Sequence, residues 1–169
     1  MTGESYLLTF AQLREETGAF FLHLQKTDHL QQKVKIVDKL GIAHELDLDQ
    51  TGFILQERAT LAYPQFEQWI EQKDLSSAQK GITSLVFLIK NRLEKEIADR
   101  DPLIRTNIGF IKGKAHFLDL GPFSKNLIHK SPLEKRQELE KITHSFGEWL
   151  REKEPELALF LDEEIRKAL

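Results

Sequence analysis

The sequence contains no cysteine among its 169 residues. This absence excludes disulfide bonds, thiolate metal sites and cysteine nucleophiles, and it is typical of proteins that fold in a reducing compartment. We therefore expect a cytoplasmic protein whose stability comes from side-chain packing.

Long hydrophobic runs are missing as well. The longest nearly apolar stretch covers residues 84–89, far short of the roughly 20 residues that a membrane-spanning helix needs. The first residues of the chain lack the basic flank and the apolar stretch of a signal peptide. We expect no export and no membrane association.

Neither sign of charge dominates the chain. The 24 basic and 27 acidic side chains nearly cancel and are interleaved along the sequence. Duplex nucleic acid requires a broad basic face, which this distribution does not provide. We expect no nucleic-acid partner.

Several motifs of common enzyme classes are absent. The sequence has no Walker loop, no glycine-rich dinucleotide loop and no glycine-flanked serine nucleophile. Its six histidines lack the spacing of a zinc-binding helix. Residues 47–52 imitate the start of a calcium loop, but Arg58 stands where a glutamate should close the site, so a hairpin turn is the better interpretation.

The spacing of apolar residues predicts the order of the structural elements. Two amphipathic helices are expected first, over residues 10–24 and from Leu30 to a stop at Gly41. The period then changes, and residues 43–48 and 53–56 predict a β-hairpin around the turn 49–52.

Helices dominate the rest of the chain. Their predicted order is a short helix around 64–71, a long buried helix over 75–97, a polar loop over 99–106, a second hairpin with strands at 108–111 and 114–118, and two helices beginning after Ser131 and Pro155. The Ser-Pro-Leu-Glu sequence at Ser131 has the composition of a capping box. We predict a single, mainly helical α+β domain over residues 1–169.

Polar residues are concentrated between Asp99 and Gly121. A loop containing Asp101 leads to Asn107 at the entry of the second hairpin, and Asp119 follows where that hairpin ends. Because a short hairpin returns the chain close to its starting point, these three side chains can converge. Hard oxygen ligands of this kind suit magnesium, and a nearby carboxylate can orient a hydroxyl group.

The same segment resembles the catalytic core of the protein-kinase-like superfamily, including its aminoglycoside-phosphotransferase-like branch. In that family an Arg-Asp or His-x-Asp loop precedes an asparagine, a hairpin and an Asp-x-Gly. The resemblance covers about residues 10–125. It implies a truncated kinase-like fold with two short β-hairpins packed against a helical lobe, and helices over 131–169 that are particular to this chain.

The resemblance also implies roles for individual residues. Asp101 would be the catalytic base, and Asn107 and Asp119 would hold magnesium. Residues 57–59 would form the hinge beside the nucleotide, so that Gln56 and Arg58 would bind ATP.

The sequence departs from the family pattern in several places. The spacing from Asp101 to Asn107 is one residue longer than usual, and Asp99 replaces the common histidine. Only about eight residues precede the first predicted helix, too few for the strands that carry the glycine-rich loop and its lysine. We therefore expect a pseudokinase-like domain rather than a complete phosphotransferase.

A non-catalytic interpretation remains open. Arg100, which would be the structural arginine of a kinase, would then form an ion network with the neighbouring aspartates and pin the loop beneath the core helix. The chain would be an interaction or scaffold domain for an unknown protein partner or for self-association. Its contact surface would include three aromatic residues of the terminal helices: Phe146, Trp149 and Phe160.

Overall fold

The computed structural model describes residues 3–126 and 129–168. The helices are α1 Gly3–Gln12, α2 Arg14–Thr17, α3 Ala62–Glu71, α4 Leu75–Glu94, α5 Ile104–Asn107, α6 Pro132–Lys153 and α7 Pro155–Ala168. The strands are β1 Ala19–His23, β2 Lys33–Val37, β3 Ala43–Asp47, β4 Phe53–Gln56, β5 Thr60–Leu61, β6 Ile97–Asp99, β7 Ile108–Ile111, β8 Lys114–Phe117 and β9 Phe123–Lys125. This mixture of helices and small antiparallel sheets confirms the mainly helical α+β class.

The chain forms two compact units. Ala19–Gln56 makes up the smaller unit, and the residues on either side of it make up the larger one. The single domain expected over residues 1–169 stays a prediction.

Helix α4 lies at the centre of the larger unit, as its apolar pattern predicts. Ile82 and Leu85 are completely buried, and the helix contacts α3, α6, α7, β6 and β8. Burial of each such side chain contributes about 1.5–3 kcal/mol to folding. The helix ends earlier than predicted because Glu96 adopts a left-handed conformation with φ of 57°, and Ile97 then begins a strand.

The hairpin formed by β7 and β8 confirms the second predicted hairpin. Its pairs run from Ile108 with Phe117 to Ile111 with Lys114. The turn residues Lys112 and Gly113 have φ values of 50° and 80°. Positive φ at both positions is the requirement of the two-residue turn that matches the twist of paired strands.

The two C-terminal helices begin as predicted. Ser131 caps α6 in a reciprocal capping box with Glu134. Phe146 is completely buried against the core, so its predicted place on a partner surface is wrong. Trp149 and Phe160 are partly buried and pack against the same core.

The predicted second helix near the N-terminus is wrong, because residues 33–37 form strand β2. Val34 and Ile36 alternate with lysines, and β-branched residues favour strands. The first predicted helix, over residues 10–24, is misplaced. Helix α1 covers Gly3–Gln12, the short α2 follows it, and Phe20 and Phe21 lie on β1.

Strand pairing in the smaller unit also differs from the predicted hairpin over residues 43–56. Strand β2 pairs with β3, and β1 pairs with β4.

The Asp49 carboxylate accepts hydrogen bonds from the Thr27 hydroxyl and from the amides of Leu30 at 3.1 Å and Gln31 at 2.7 Å. These bonds, led by that of Thr27, lower the pKa of Asp49. The residues that imitate a calcium loop therefore serve to fix the local backbone.

Among residues 3–126 and 129–168, the structure has no helix of the length and apolar character that crossing a membrane would require.

Two helical glycines give matched tests of core packing. A Cβ atom at Gly81 would lie 2.5 Å from Cζ3 of Trp69, whereas one at Gly147 would lie 3.5 Å from Cδ2 of Leu161, an ordinary contact. We expect Gly81→Ala to lower the free energy of unfolding by about 1–3 kcal/mol through overpacking. Gly147→Ala should raise it by about 0.5–1 kcal/mol, because alanine favours the helix.

Thermal unfolding followed by circular dichroism measures both changes. Each kcal/mol should shift Tm by roughly 2–4 °C for a chain of this size. Equal shifts for the two variants would contradict the packing described around α4.

Candidate functional site

The polar segment from Asp99 to Gly121 has its two ends next to each other in the structure. Strand β6 pairs with β9, with Asp99 opposite Phe123. The β7–β8 hairpin lies between these strands in sequence. Backbone pairing therefore brings the two ends of the segment together.

Asp101 and Asn107 are joined directly. The Nδ2 atom of Asn107 donates to the backbone oxygen of Asp101 at 2.8 Å and to its Oδ2 at 3.0 Å. This bond spans the short helix α5. Because the amide nitrogen is used in this way, the Oδ1 oxygen is the atom that Asn107 can offer to a cation.

Asp119 is held across the hairpin from Asn107. The backbone oxygen of Asn107 accepts from the amide of Leu118 at 2.9 Å, and Asp119 is the next residue. The Asp119 carboxylate accepts a hydrogen bond from the Gly121 amide at 2.9 Å. Asp101 and Asp119 are exposed to solvent and Asn107 is half-buried. The backbone thus brings the three predicted residues to one end of the hairpin.

Asp99 is a third carboxylate at this place. Burial raises its pKa, and the negative charges of Asp101 and Asp119 raise it further. A hydrogen bond from the Asp101 amide at 2.9 Å and the charge of Arg92 act in the opposite direction. Asp101 and Asp119 are therefore close enough to disfavour a negative charge on Asp99, and a bound cation would relieve that repulsion.

Arg92 lies buried beneath the loop, with only 1% of its surface exposed. It donates to the backbone oxygen of Ile97 at 2.6 Å and pairs with Glu138 at 3.3 Å. A charge on a buried helix face is the sequence signal that would have identified it. Arg100, by contrast, is exposed and donates to the backbone oxygen of Pro122 at 3.3 Å. Within the described part of the chain, the ion network expected around Arg100 does not form, and Arg92 is the buried cation.

Ser5 on α1 is a second residue that the sequence pattern does not reveal. Its hydroxyl oxygen lies 2.8 Å from the backbone oxygens of Gly121 and Phe123, and 3.2 Å from that of Leu120. One hydroxyl proton can serve only one of these acceptors at a time. The contact fixes the segment that follows Asp119, and it joins parts of the chain too distant in sequence for any local pattern to reveal.

The oxygen-bearing side chains at this end of the hairpin fit magnesium in one specific way. The described residues contain no group of three or more histidine, aspartate or glutamate side chains placed to hold a metal ion by themselves. Magnesium, however, is usually held by one or two carboxylates together with the phosphates of a substrate. The exposed carboxylate of Asp119 and the amide oxygen of Asn107 match that requirement, with the Asp101 carboxylate left for a substrate hydroxyl group.

The predicted nucleotide-binding residues lie elsewhere in the chain. Gln56 ends strand β4 and pairs with Ala19. Arg58 is exposed and lines a cleft of about 720 Å³ that includes Trp69 and Lys80. Asp101, Asn107 and Asp119 do not line this cleft. The binding roles of Gln56 and Arg58 stay predictions.

The environment of Asp99 makes stability depend on pH. Its raised pKa means that the folded state holds its proton more tightly than the unfolded state, so its contribution to stability falls as pH rises above the ordinary value near 3.8. Asp99→Asn removes this ionisation and keeps an oxygen that can accept from the Asp101 amide. We expect the variant to have a higher Tm than the wild type at pH 7.

The difference in Tm between Asp99→Asn and the wild type should shrink as the pH falls below 3.8, because the wild-type carboxyl group then becomes protonated in the unfolded state as well. Asp28→Asn, which changes an exposed aspartate in the smaller unit, is the control. A difference in Tm that stays the same from pH 3 to pH 7 would show that ionisation of Asp99 is not its cause.

Comparison of the chain with protein-family models, with curated proteins and with solved structures finds no match.

Proposed function

We propose that this chain is a kinase-like or pseudokinase-like domain that binds magnesium and the phosphates of a nucleotide at Asp101, Asn107 and Asp119. One observation carries the proposal. The amide of Asn107 is bonded to Asp101, while the backbone of the same residue is paired across the hairpin next to Asp119. Three oxygen-bearing side chains separated in sequence are thereby held at one hairpin end.

Each residue has a distinct task in this proposal. The carboxylate of Asp119 and the Oδ1 oxygen of Asn107 would hold the metal ion. Magnesium, when bound, would neutralise negative charge on the phosphates. Asp101 is exposed and would accept the proton of a substrate hydroxyl, and its bond to Asn107 keeps the carboxylate in one orientation.

The order of elements supports the proposal. The paired strands β1 and β4 precede residues 57–59, the segment that the resemblance assigns to the hinge, and α3 and α4 follow. The buried helix α4 then leads through β6 to the loop and its hairpin. From residue 57 onward this is the sequence of elements that the kinase-like resemblance implies, with Gln56 and Arg58 expected to contact the nucleotide. Before residue 57 the order differs, because strand β2 stands where the resemblance places a second helix.

The crowding of carboxylates is a further support. Asp101 and Asp119 both act electrostatically on Asp99, which burial partly withdraws from water. A carboxyl group whose pKa is raised by burial and by neighbouring charges is a feature often found at functional sites.

Isothermal titration calorimetry with magnesium and ATP tests the proposal directly. We expect measurable binding to the wild type, and a loss of at least about tenfold in affinity for Asp119→Asn, which removes a charged ligand of the metal ion. Asp28→Asn is the matched control and should bind as the wild type does. Circular dichroism of each variant establishes that it is folded.

The absence of both binding heat and a thermal shift with magnesium and ATP would end the proposal. Equal binding by Asp119→Asn and the wild type would instead place any nucleotide site elsewhere in the chain.

A second candidate is an interaction domain, and the β2–β3 hairpin of the smaller unit favours it. Its apolar residues Val37, Leu40 and Ile42 are 66%, 83% and 52% exposed. Within the described residues these two strands pair only with each other. An isolated two-stranded hairpin is only marginally stable in water, so a protein partner or a second copy of the chain would stabilise it.

Light scattering coupled to size-exclusion chromatography tests self-association through this hairpin. We expect a dimer or larger species for the wild type and a monomer for Leu40→Lys, because a charge would be buried in the contact. Leu159→Lys is the control, since Leu159 is 66% exposed on α7, away from the hairpin in sequence. A wild type that is monomeric at all concentrations would exclude self-association as the role of the hairpin.

A further inference from the structure

A second cleft of about 890 Å³ lies in the larger unit beside the polar loop. The loop over residues 98–106 forms one wall and helix α6 forms the other. Its volume falls within the range of about 300–1,000 Å³ that is usual for sites of small ligands. Arg100 and Pro102, the neighbours of Asp101 on either side, are both part of the lining.

Positive charge dominates the lining of this cleft. The lining contains two carboxylates, Asp99 and Glu138, and four cationic residues, Arg100, Arg105, Lys130 and Lys141. Glu138 is already paired with both Arg92 and Lys130, so its charge is neutralised within the protein. Asp99 interacts with Arg92 and accepts a hydrogen bond from the Asp101 amide.

Arg105 and Lys141 have no carboxylate within ion-pair distance among the residues that the structure describes. Both side chains are solvent-exposed residues of the cleft wall. Two cations without a carboxylate partner, one from each wall, leave the cleft ready to accept an anion.

Arg105 is held in position by an aromatic ring. Its guanidinium carbon lies 4.1 Å from the centre of the Tyr63 ring, the geometry of a cation–π contact. Tyr63 is itself buried and packs edge-on against Phe146 in the core. A planar guanidinium fixed in this way loses little conformational freedom when it forms paired hydrogen bonds with a carboxylate or phosphate.

We propose that this cleft binds the carboxylate or phosphate group of a small anionic ligand, with Arg105 and Lys141 as its anchors. This identification of the ligand rests on the function proposed above: if that function holds, the anionic molecule bound beside the Asp101 loop is the acceptor of the kinase-like reaction, and the acceptor is therefore an acid. The anion site itself does not depend on nucleotide binding.

Calorimetric titration with inorganic phosphate, and in parallel with citrate, tests the site and distinguishes phosphate from carboxylate recognition. We expect at least one of the two anions to bind, and Lys141→Gln to weaken binding about tenfold, the loss expected for one charge-assisted hydrogen bond. Arg105→Gln should weaken it by at least as much. Lys135→Gln, on the same helix but outside the cleft lining, should leave binding unchanged.

Titrating each variant with both kinds of ligand separates the two proposals. Lys141→Gln should retain binding of magnesium and ATP, and Asp119→Asn should retain binding of the small anion. Loss of anion binding in Asp119→Asn would place the anion at the proposed nucleotide site and overturn the cleft assignment. Equal losses in Lys135→Gln and Lys141→Gln, or no binding of either anion, would also overturn it.

Because Arg105 packs on a buried ring, Arg105→Gln can weaken anion binding either by removing a ligand contact or by destabilising the fold, and this variant alone does not distinguish the two causes. Lys141 is exposed, so its replacement leaves the core unchanged. Thermal unfolding of Lys141→Gln in the absence of ligand should match that of the wild type, and its affinity for the anion therefore decides the test.

Discussion

The burial of helix α4 is the constraint on which the larger unit depends. Its apolar residues are enclosed by helices on several sides and by the small sheets, and the same burial carries Arg92 into the interior. A buried guanidinium requires partners, because its transfer from water costs several kcal/mol. Arg92 finds them in the backbone oxygen of Ile97 and in the carboxylate of Glu138. One side chain thereby ties the end of α4, strand β6 and helix α6 to one another.

The candidate site follows from this arrangement. With the start of β6 fixed by Arg92, pairing of β6 with β9 determines where the loop leaves the core and where the chain after Asp119 returns. The Ser5 hydroxyl fixes the returning segment from α1. Backbone hydrogen bonds, in addition to contacts among the side chains themselves, therefore position Asp101, Asn107 and Asp119. That kind of support gives a functional site its rigidity.

Charge is distributed unevenly around this loop. Asp99, Asp101 and Asp119 crowd negative charge at one place, and the cleft against α6 has an excess of positive charge. Arg92 influences Asp99, and Glu138, which is part of the cleft lining, neutralises Lys130 and pairs with Arg92. A protein that held a metal ion and an anionic substrate next to each other would need this separation of charges. The proposals for the two sites are therefore chemically consistent, although each is tested by its own ligand.

The sequence by itself determined the elements whose signals are local. The long apolar repeat of α4, the capping box at Ser131, and the turn at Lys112 and Gly113 each depend on residues within a few positions of one another, and each was predicted. The candidate residues Asp101, Asn107 and Asp119 were also identified, because a short hairpin brings its ends together whatever the rest of the fold.

Tertiary structure decided what depends on distant residues. The pairing of β1 with β4, whose paired residues lie at least 30 positions apart, replaces the hairpin predicted over residues 43–56. Only the folded core reveals that Arg92 is buried, that Asp99 has a raised pKa and that Arg105 rests on Tyr63, because desolvation and ring contacts arise from residues brought together by folding.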